Sequence, residues 1–278
     1  MMKKKMFFID LDGTTLRDDK TIPEENIQAI EKVVDAGHYV SIATGRALVS
    51  AKMMAERLGM LRKGCFLISF NGAIIYDLSD MSRLRDLRLP DEYAAYLCRE
   101  AQKSHLYIQA YNETKVLAPY LCPELLYYSG RNVVDYEIVP DLYQQKVFHT
   151  PKVLMVSTED PSALEKFRQD HLSWQEGRCV SFFSCPQYLE YCPAEATKAE
   201  GIAFFEKRLG IAHEDTVAVG DEDNDAAMIR YAGTGVVMKN GNEAVKPFAD
   251  YITERDNNHG GLAEVLCRYA GVDVNLPQ

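Results

Sequence analysis

The chain has 278 residues, 47% of them apolar and 26% charged, with a formal net charge of −10. That suits one large soluble domain or two smaller ones, and the acidic balance, with no basic run longer than Lys3–Lys5, argues against a nucleic-acid partner. No apolar run approaches bilayer length, and Asp10 and Asp12 interrupt what would be the apolar part of a signal peptide. Seven cysteines, with no Cys-x-x-Cys pair, point to a reduced, cytoplasmic protein.

In chain order, MFFIDL (Met6–Leu11) reads as a buried parallel strand. TIPEENIQAIEKVVDAGH follows as a helix, with Thr21 and Glu24 at capping-box spacing, Pro23 in the first turn and Gly37 as the stop. YVSIAT is a second strand, ALVSAKMMAERLG a second helix and CFLISF a third strand. This alternation predicts an α/β fold: a Rossmann-like parallel-sheet core with helices on both faces. After NGAIIYDL the rhythm breaks into segments rich in tyrosine and phenylalanine. It is expected to return near Tyr188–Tyr191 and to continue through KAEGIAFFEKRLG, TVAVG, NDAAMIRYAG, GVVM, YIT and GGLAEVLCRYA. The economical reading is a core of residues 1–84 and 188–278 with an α+β cap, residues 85–187, inserted between them.

Two apolar strands end in acids. Asp10 and Asp12 close the first, and Asp221, Asp223 and Asp225 follow TVAVG. In an open α/β sheet the carboxyl edge is where ligands bind. Carboxylates gathered there repel one another unless a cation intervenes, and an all-oxygen ligand set suits Mg²⁺. Two further strand ends join them. Thr44, in ATGR, offers a hydroxyl and the next N–H to an anion. Lys198 opens a helix, where a cation is disfavoured unless it faces acids or a phosphate. Each feature alone reads as a turn or cap, and the Asn71-Gly72 pair reads at least as well as a tight turn as a binding element. Their joint appearance is what points to a site.

The constellation resembles the haloacid dehalogenase-like hydrolases, and most closely their Cof-type sugar-phosphatase branch with a type IIB cap. DLDGTTL resembles the first motif, ATGR the second, ATKAEGI the third, and GDEDNDAAMI with AVKPFADYIT the fourth. The resemblance implies Asp10 as the nucleophile that takes the phosphoryl group, and Asp12 as the acid that protonates the leaving alcohol and then activates water. It implies Mg²⁺ held by Asp10, the Asp12 carbonyl and Asp221, with Asp225 one layer behind. It also implies phosphoryl oxygens held by the Leu11 N–H, Thr44, Gly45, Lys198 and Asn224. An acid in that role calls for a raised pKa at Asp12. Thr15, where relatives carry an apolar residue, and Glu222 and Asp223 depart from the family pattern. The two extra acids are expected to face solvent.

The reading that follows is a phosphatase of small phosphorylated metabolites, with sugar phosphates first and flavin mononucleotide and pyridoxal phosphate open. A phosphomutase and a phosphoacceptor signalling module are the alternatives. The D-x-D spacing and the chain length argue against the signalling module. Neither a membrane nor a nucleic acid is expected as partner. The aromatic residues of the insert, from Tyr93 to Phe183, are expected mainly to pack its core.

Overall fold

A computed structural model describes residues 3–276. The chain begins with β1 (Met6–Ile9), α1 (Glu24–Asp35), β2 (Tyr39–Ala43), α2 (Leu48–Arg57), β3 (Cys65–Ser69), β4 (Ile74–Asp77) and β5 (Arg83–Asp86). Next come α3 (Asp91–Lys103), β6 (Tyr107–Tyr111), β7 (Lys115–Ala118), α4 (Pro123–Asn132), β8 (Asp135–Ile138), β9 (Val153–Val156), α5 (Pro161–Asp170), α6 (Leu172–Gln175), β10 (Cys179–Cys185) and β11 (Tyr188–Pro193). It ends with α7 (Lys198–Leu209), β12 (Thr216–Gly220), α8 (Ala226–Tyr231), β13 (Thr234–Val237), β14 (Tyr251–Ile252) and α9 (Gly261–Ala270).

Among the described residues the first sheet has the order β14-β13-β12-β1-β2-β3-β4-β5. It is parallel except for β4 and β5. The alternation of β1 explains why helices cover both faces. Phe7 and Ile9 pack with Ile30 and Val33 of α1 and Leu262 and Leu266 of α9. Met6 and Phe8 point the other way, onto Ile202 and Phe205 of α7 and Met228 and Ile229 of α8. Full burial of such side chains contributes roughly 1.5–3 kcal/mol each. The α/β core with helices on both faces is as expected.

The connection from β1 leads to β2 on one side, while β12 pairs with β1 on the other, Ile9 opposite Val219. Strand order therefore reverses at β1, and such switch points open a crevice beyond the carboxyl ends. Both acid-bearing loops leave the sheet there.

The second sheet has the order β10-β11-β9-β6-β7-β8. Helices α3 and α5 cover one face, with Leu97, Cys98, Leu164 and Phe167 packed on Ile108, Val153, Met155 and Leu189. Tyr107, Tyr111 and Leu154 join the core cluster that also holds Tyr128 of α4. Tyr111 meets Phe70 of the first unit edge-on, with ring centroids 5.6 Å apart.

Two local expectations change. Tyr188–Pro193, expected to reopen the first sheet, pairs antiparallel with β9 and β10 instead. A short, fully buried apolar strand reads the same in either sheet, so periodicity could not assign it. The capping box at Thr21 is not formed. Pro23 takes the N-cap position, and the Thr21 hydroxyl donates to Asp19 Oδ1 at 2.6 Å. Gly37, at φ +90°, does end α1.

Candidate active site

Each acid reaches the crevice for a local reason. Strand β1 stops at Ile9, and the Asp10 N–H still donates to Val219 O at 3.0 Å. The backbone then turns at Gly13, φ +82°. That glycine is required twice over. The φ is left-handed, and a Cβ there would lie 2.2 Å from Asp221 Oδ2. Thr15 donates to the Asp10 carbonyl at 2.5 Å and braces its own loop, while Thr14 donates to Asp221 Oδ1 at 2.8 Å and pins one acid loop to the other. Across the crevice, β12 ends at Gly220 and a 3₁₀ turn, Asp223–Asp225, leads into α8.

Asp10, Asp221 and Asp225 are all buried, and each offers a carboxylate oxygen within 4.8 Å of the others. Lys198 sits among them with no exposed side chain. Its Nζ donates to Asp10 Oδ1 at 2.6 Å and to Asp225 Oδ1 at 2.5 Å. Lys198 thus faces acids at the start of its helix, which offsets the unfavourable helix dipole there. Asp225 Oδ2 accepts the N–H groups of Asp221 and Glu222, at 2.9 and 3.2 Å. Both Asp225 oxygens are thus engaged by the protein, while among the described residues the Asp221 carboxylate accepts only from the Thr14 hydroxyl. Three buried carboxylates face one ammonium. Burial, followed by the charges of Asp225 and Asp12, pushes Asp10 up to about 7 against the pull of Lys198. Burial and the charges of Asp10 and Asp225 raise Asp221 well above the carboxylate range. This surplus of negative charge on hard oxygen donors fits a divalent cation at Asp10 and Asp221. Burial lowers the Lys198 pKa, but the two aspartates outweigh it and leave it raised.

Asp12 differs from expectation. Burial by itself raises its pKa. Arg46 and Lys20 more than offset that and hold it well below the usual carboxylate range. Arg46 donates from Nε to Oδ2 at 2.7 Å and from Nη2 to Oδ1 at 2.6 Å, and Lys20 adds a 2.7 Å bond to Oδ1. The acid expected to be protonated is ionised in this arrangement, because two cations that no spacing rule pairs with it fold against it. Arg46 also donates to Ser50 Oγ at 3.1 Å, which ties it to α2.

Thr44 and Gly45 lie on the rim beside these acids. The Arg46 N–H donates to Thr44 Oγ1 at 3.2 Å, and Asn71, left-handed at φ +57°, donates its N–H to the Thr44 carbonyl at 2.9 Å. Gly45 packs closely on the Asn71 amide: a Cβ would lie 3.0 Å from its Oδ1, so a side chain there would push that amide aside. Leu11 is buried, and its carbonyl accepts the N–H groups of Thr15 and Leu16. Asn224 donates to Asn71 Oδ1 at 3.2 Å. Of the two extra acids, Asp223 is exposed as expected. Glu222 is not simply solvated: it is half-buried, completes a capping box with Asp225 and accepts from Asn242.

A cleft of about 90 Å³ joins these groups to the unit of the second sheet, whose α4 supplies Tyr128 and Arg131, whose β11 supplies Tyr188 and Glu190, and whose Lys152 precedes β9. Sequence reasoning passed over Thr14, Lys20, Lys152 and Glu190 and gave no role to Arg46. Glu190 left a readable signal, a carboxylate inside the apolar run YLEYCP, of the same kind as Asp10 in FFIDL. Lys152 left none.

Comparison with known proteins agrees with this geometry. The family model of haloacid dehalogenase-like hydrolases matches residues 7–266. The 5-amino-6-(5-phospho-D-ribitylamino)uracil phosphatase YitU of Bacillus subtilis is 30% identical over 283 residues, covering 96% of this chain and 98% of that protein. A haloacid dehalogenase-like hydrolase of Bacteroides thetaiotaomicron is 29% identical with a TM-score of 0.85, covering 96% of this chain and 99% of that one. The fold is also that of a subclass IIB sugar phosphatase, at 20% identity and a TM-score of 0.80, covering 97% of this chain and 100% of that one. The chain belongs to the haloacid dehalogenase-like hydrolases, and is a phosphatase of that family.

Proposed function

We propose that the protein is a Mg²⁺-dependent phosphatase of small phosphorylated metabolites, sugar or polyol phosphates first among them, acting through an aspartyl-phosphate on Asp10. The observation that carries this reading is the buried trio of Asp10, Asp221 and Asp225 with Lys198 inside it. Mg²⁺ would be held by Asp10, the Asp12 carbonyl and Asp221, and when bound it screens the carboxylates from the phosphoryl dianion. Asp225 stands behind it as the group that fixes Lys198 and the Asp221 backbone.

Phosphoryl transfer needs in-line positioning and charge neutralisation. Lys198 fixes Asp10 through Oδ1. An Asp10 oxygen attacks phosphorus, and the bond from phosphorus to the alcohol oxygen breaks. Asp12 gives its proton to that oxygen, then takes one from the water that attacks the phosphoryl group and frees Asp10. The Leu11 N–H, Thr44, Gly45, Lys198 and Asn224 hold phosphoryl oxygens. Asp12 enters this cycle ionised. The arriving dianion draws Lys20 away and offsets the charge of Arg46, whose fork still places the carboxyl, so Asp12 takes up a proton from solvent and returns one to solvent when phosphate leaves.

The second sheet acts as the cap. It walls the cleft opposite Asp10, where a leaving group would lie, and limits the entry of water. Among the described residues no helix is long and apolar enough to cross a membrane. All seven cysteines are free thiols, which fits a reducing cytoplasm. The test is phosphate release with Mg²⁺ from a panel of sugar and polyol phosphates, flavin mononucleotide, pyridoxal phosphate and 5-amino-6-(5-phospho-D-ribitylamino)uracil. Sustained release from at least one is expected. Labelling to a single equivalent without turnover would point to the signalling module, and isomerisation without release to the mutase.

A further inference from the structure

Away from the acid trio, the described residues bury one more ion pair that catalysis does not use. Lys152, just before β9, and Glu190, in β11, are 1% and 2% exposed, and their charges meet at 2.6 Å. A buried pair of this kind is a poor source of net stability, so its geometry is where a role should be sought. Glu190 Oε2 accepts from Lys152 and, at 2.7 Å, from Asn71 Nδ2, while Oε1 accepts from Ser184 at 2.6 Å. Lys152 also donates to Gly45 O at 2.8 Å. The pair belongs to the second sheet, but both Asn71 and Gly45 belong to the first unit.

A carboxylate only accepts and an ammonium only donates, so this pair dictates the polarity of whatever it touches. Asn71 must turn Nδ2 to Glu190, which leaves Oδ1 facing Asn224. Asn224 must answer with its own Nδ2, the observed 3.2 Å bond. Each amide has two flip states, and an ionised group removes that choice. On the other branch, Lys152 holds the carbonyl of the Gly45–Arg46 peptide while Thr44 Oγ1 accepts its N–H at 3.2 Å. The peptide plane is gripped along both edges, and the Thr44 hydroxyl hydrogen is not consumed by that bond.

We infer that Glu190, with Lys152, is a positioning residue by which the second sheet sets phosphoryl binding, orienting Asn224 through Asn71 and the Thr44–Arg46 loop through Gly45. The inference rests on the phosphatase reading above. It assigns the cap a task on the phosphoryl side of the cleft, separate from any contact with a leaving group.

The test uses the full chain with Mg²⁺, p-nitrophenyl phosphate as substrate and inorganic phosphate as competitive inhibitor. The variant K152M/E190L replaces the pair by apolar residues of similar size, so the interior stays filled. N71G removes the amide from a left-handed position that glycine accepts. Each is expected to raise KM and the phosphate Ki by about tenfold, more than it lowers kcat, as loss of oriented hydrogen bonds should. Because both act along one path, combining them should add no more than about a further twofold. Tm reports folding. If K152M/E190L does not fold, E190Q with N71G takes its place in the same cycle, because an amide can offer Asn71 either edge. Unchanged Ki in folded variants, or rises that multiply, would overturn the inference while wild-type turnover keeps the phosphatase reading intact. Wild-type protein that neither turns over the ester nor binds phosphate would overturn both.

Discussion

Arg46 grips Asp12 through two parallel bonds, Nε to Oδ2 at 2.7 Å and Nη2 to Oδ1 at 2.6 Å. Planar forks of this kind fix orientation as well as charge. If Arg46 acts by placing Asp12, its removal should do little damage once Asp12 is gone. We expect Arg46→Ala to lower kcat/KM for an alkyl phosphate by about 10²-fold. The R46A/D12N double variant should be no worse than D12N by more than about threefold. Kinetics on the four proteins decide it, and independent, multiplying losses would contradict the placing role.

Asp10→Asn should lower turnover by more than about 10³-fold, since the amide is a poor nucleophile. The same change removes one of three mutually repelling charges, and Asp225 remains to pair Lys198. The metal-free variant should therefore melt at or above the wild-type temperature at pH 7.5. Near-normal activity would remove Asp10 from the chemistry. A large drop in Tm would show that the Asp10–Lys198 bond outweighs the repulsion.

Stability of the metal-free protein should fall as pH rises from about 4 to about 7. Asp10, held up to about 7 by burial and neighbouring acids, keeps its proton in the folded state where the unfolded chain has lost it. Asp221 is raised in the same direction. The folded form then binds more protons, so its advantage is complete below the unfolded pKa and is lost as pH climbs through the folded one. The size for Asp10 is on the order of a few kcal/mol. Asp12, depressed by Arg46 and Lys20, has the opposite sign, and its contribution is lost only below about pH 4. Mg²⁺ should reverse the loss, so the Tm gain on adding it should grow with pH in thermal scans from pH 5 to 8. A gain independent of pH would mean that the ion does not meet these carboxylates.

Gly13→Ala should be severe for so small a change. The new methyl group would lie 2.2 Å from Asp221 Oδ2, on a backbone at φ +82°. Asp221 must move, or the loop must. A loss of 2–4 kcal/mol is expected as an order-of-magnitude figure for strain plus overpacking. Mg²⁺ affinity should fall with it, read by calorimetry. Gly37→Ala is the control, since nothing lies within 4 Å of its Cβ position. Equal effects at the two positions would remove the steric argument.

The strands, the helices and the ends that carry acids are legible in the sequence, because strand and helix periods are written in adjacent residues. The meeting of Asp10 and Asp221 on one rim is legible there too, since parallel strands in a covered sheet share their carboxyl edge. Tertiary structure alone decided the partners: Arg46 and Lys20 on Asp12, Thr14 on Asp221, and Lys152 with Glu190 on Gly45 and Asn71. It likewise assigned Tyr188–Pro193 to the second sheet. Those pairings join residues up to 207 positions apart. Charge state and side-chain polarity at the site follow from which groups are buried against one another, and burial is a property of the packed chain that no local pattern records.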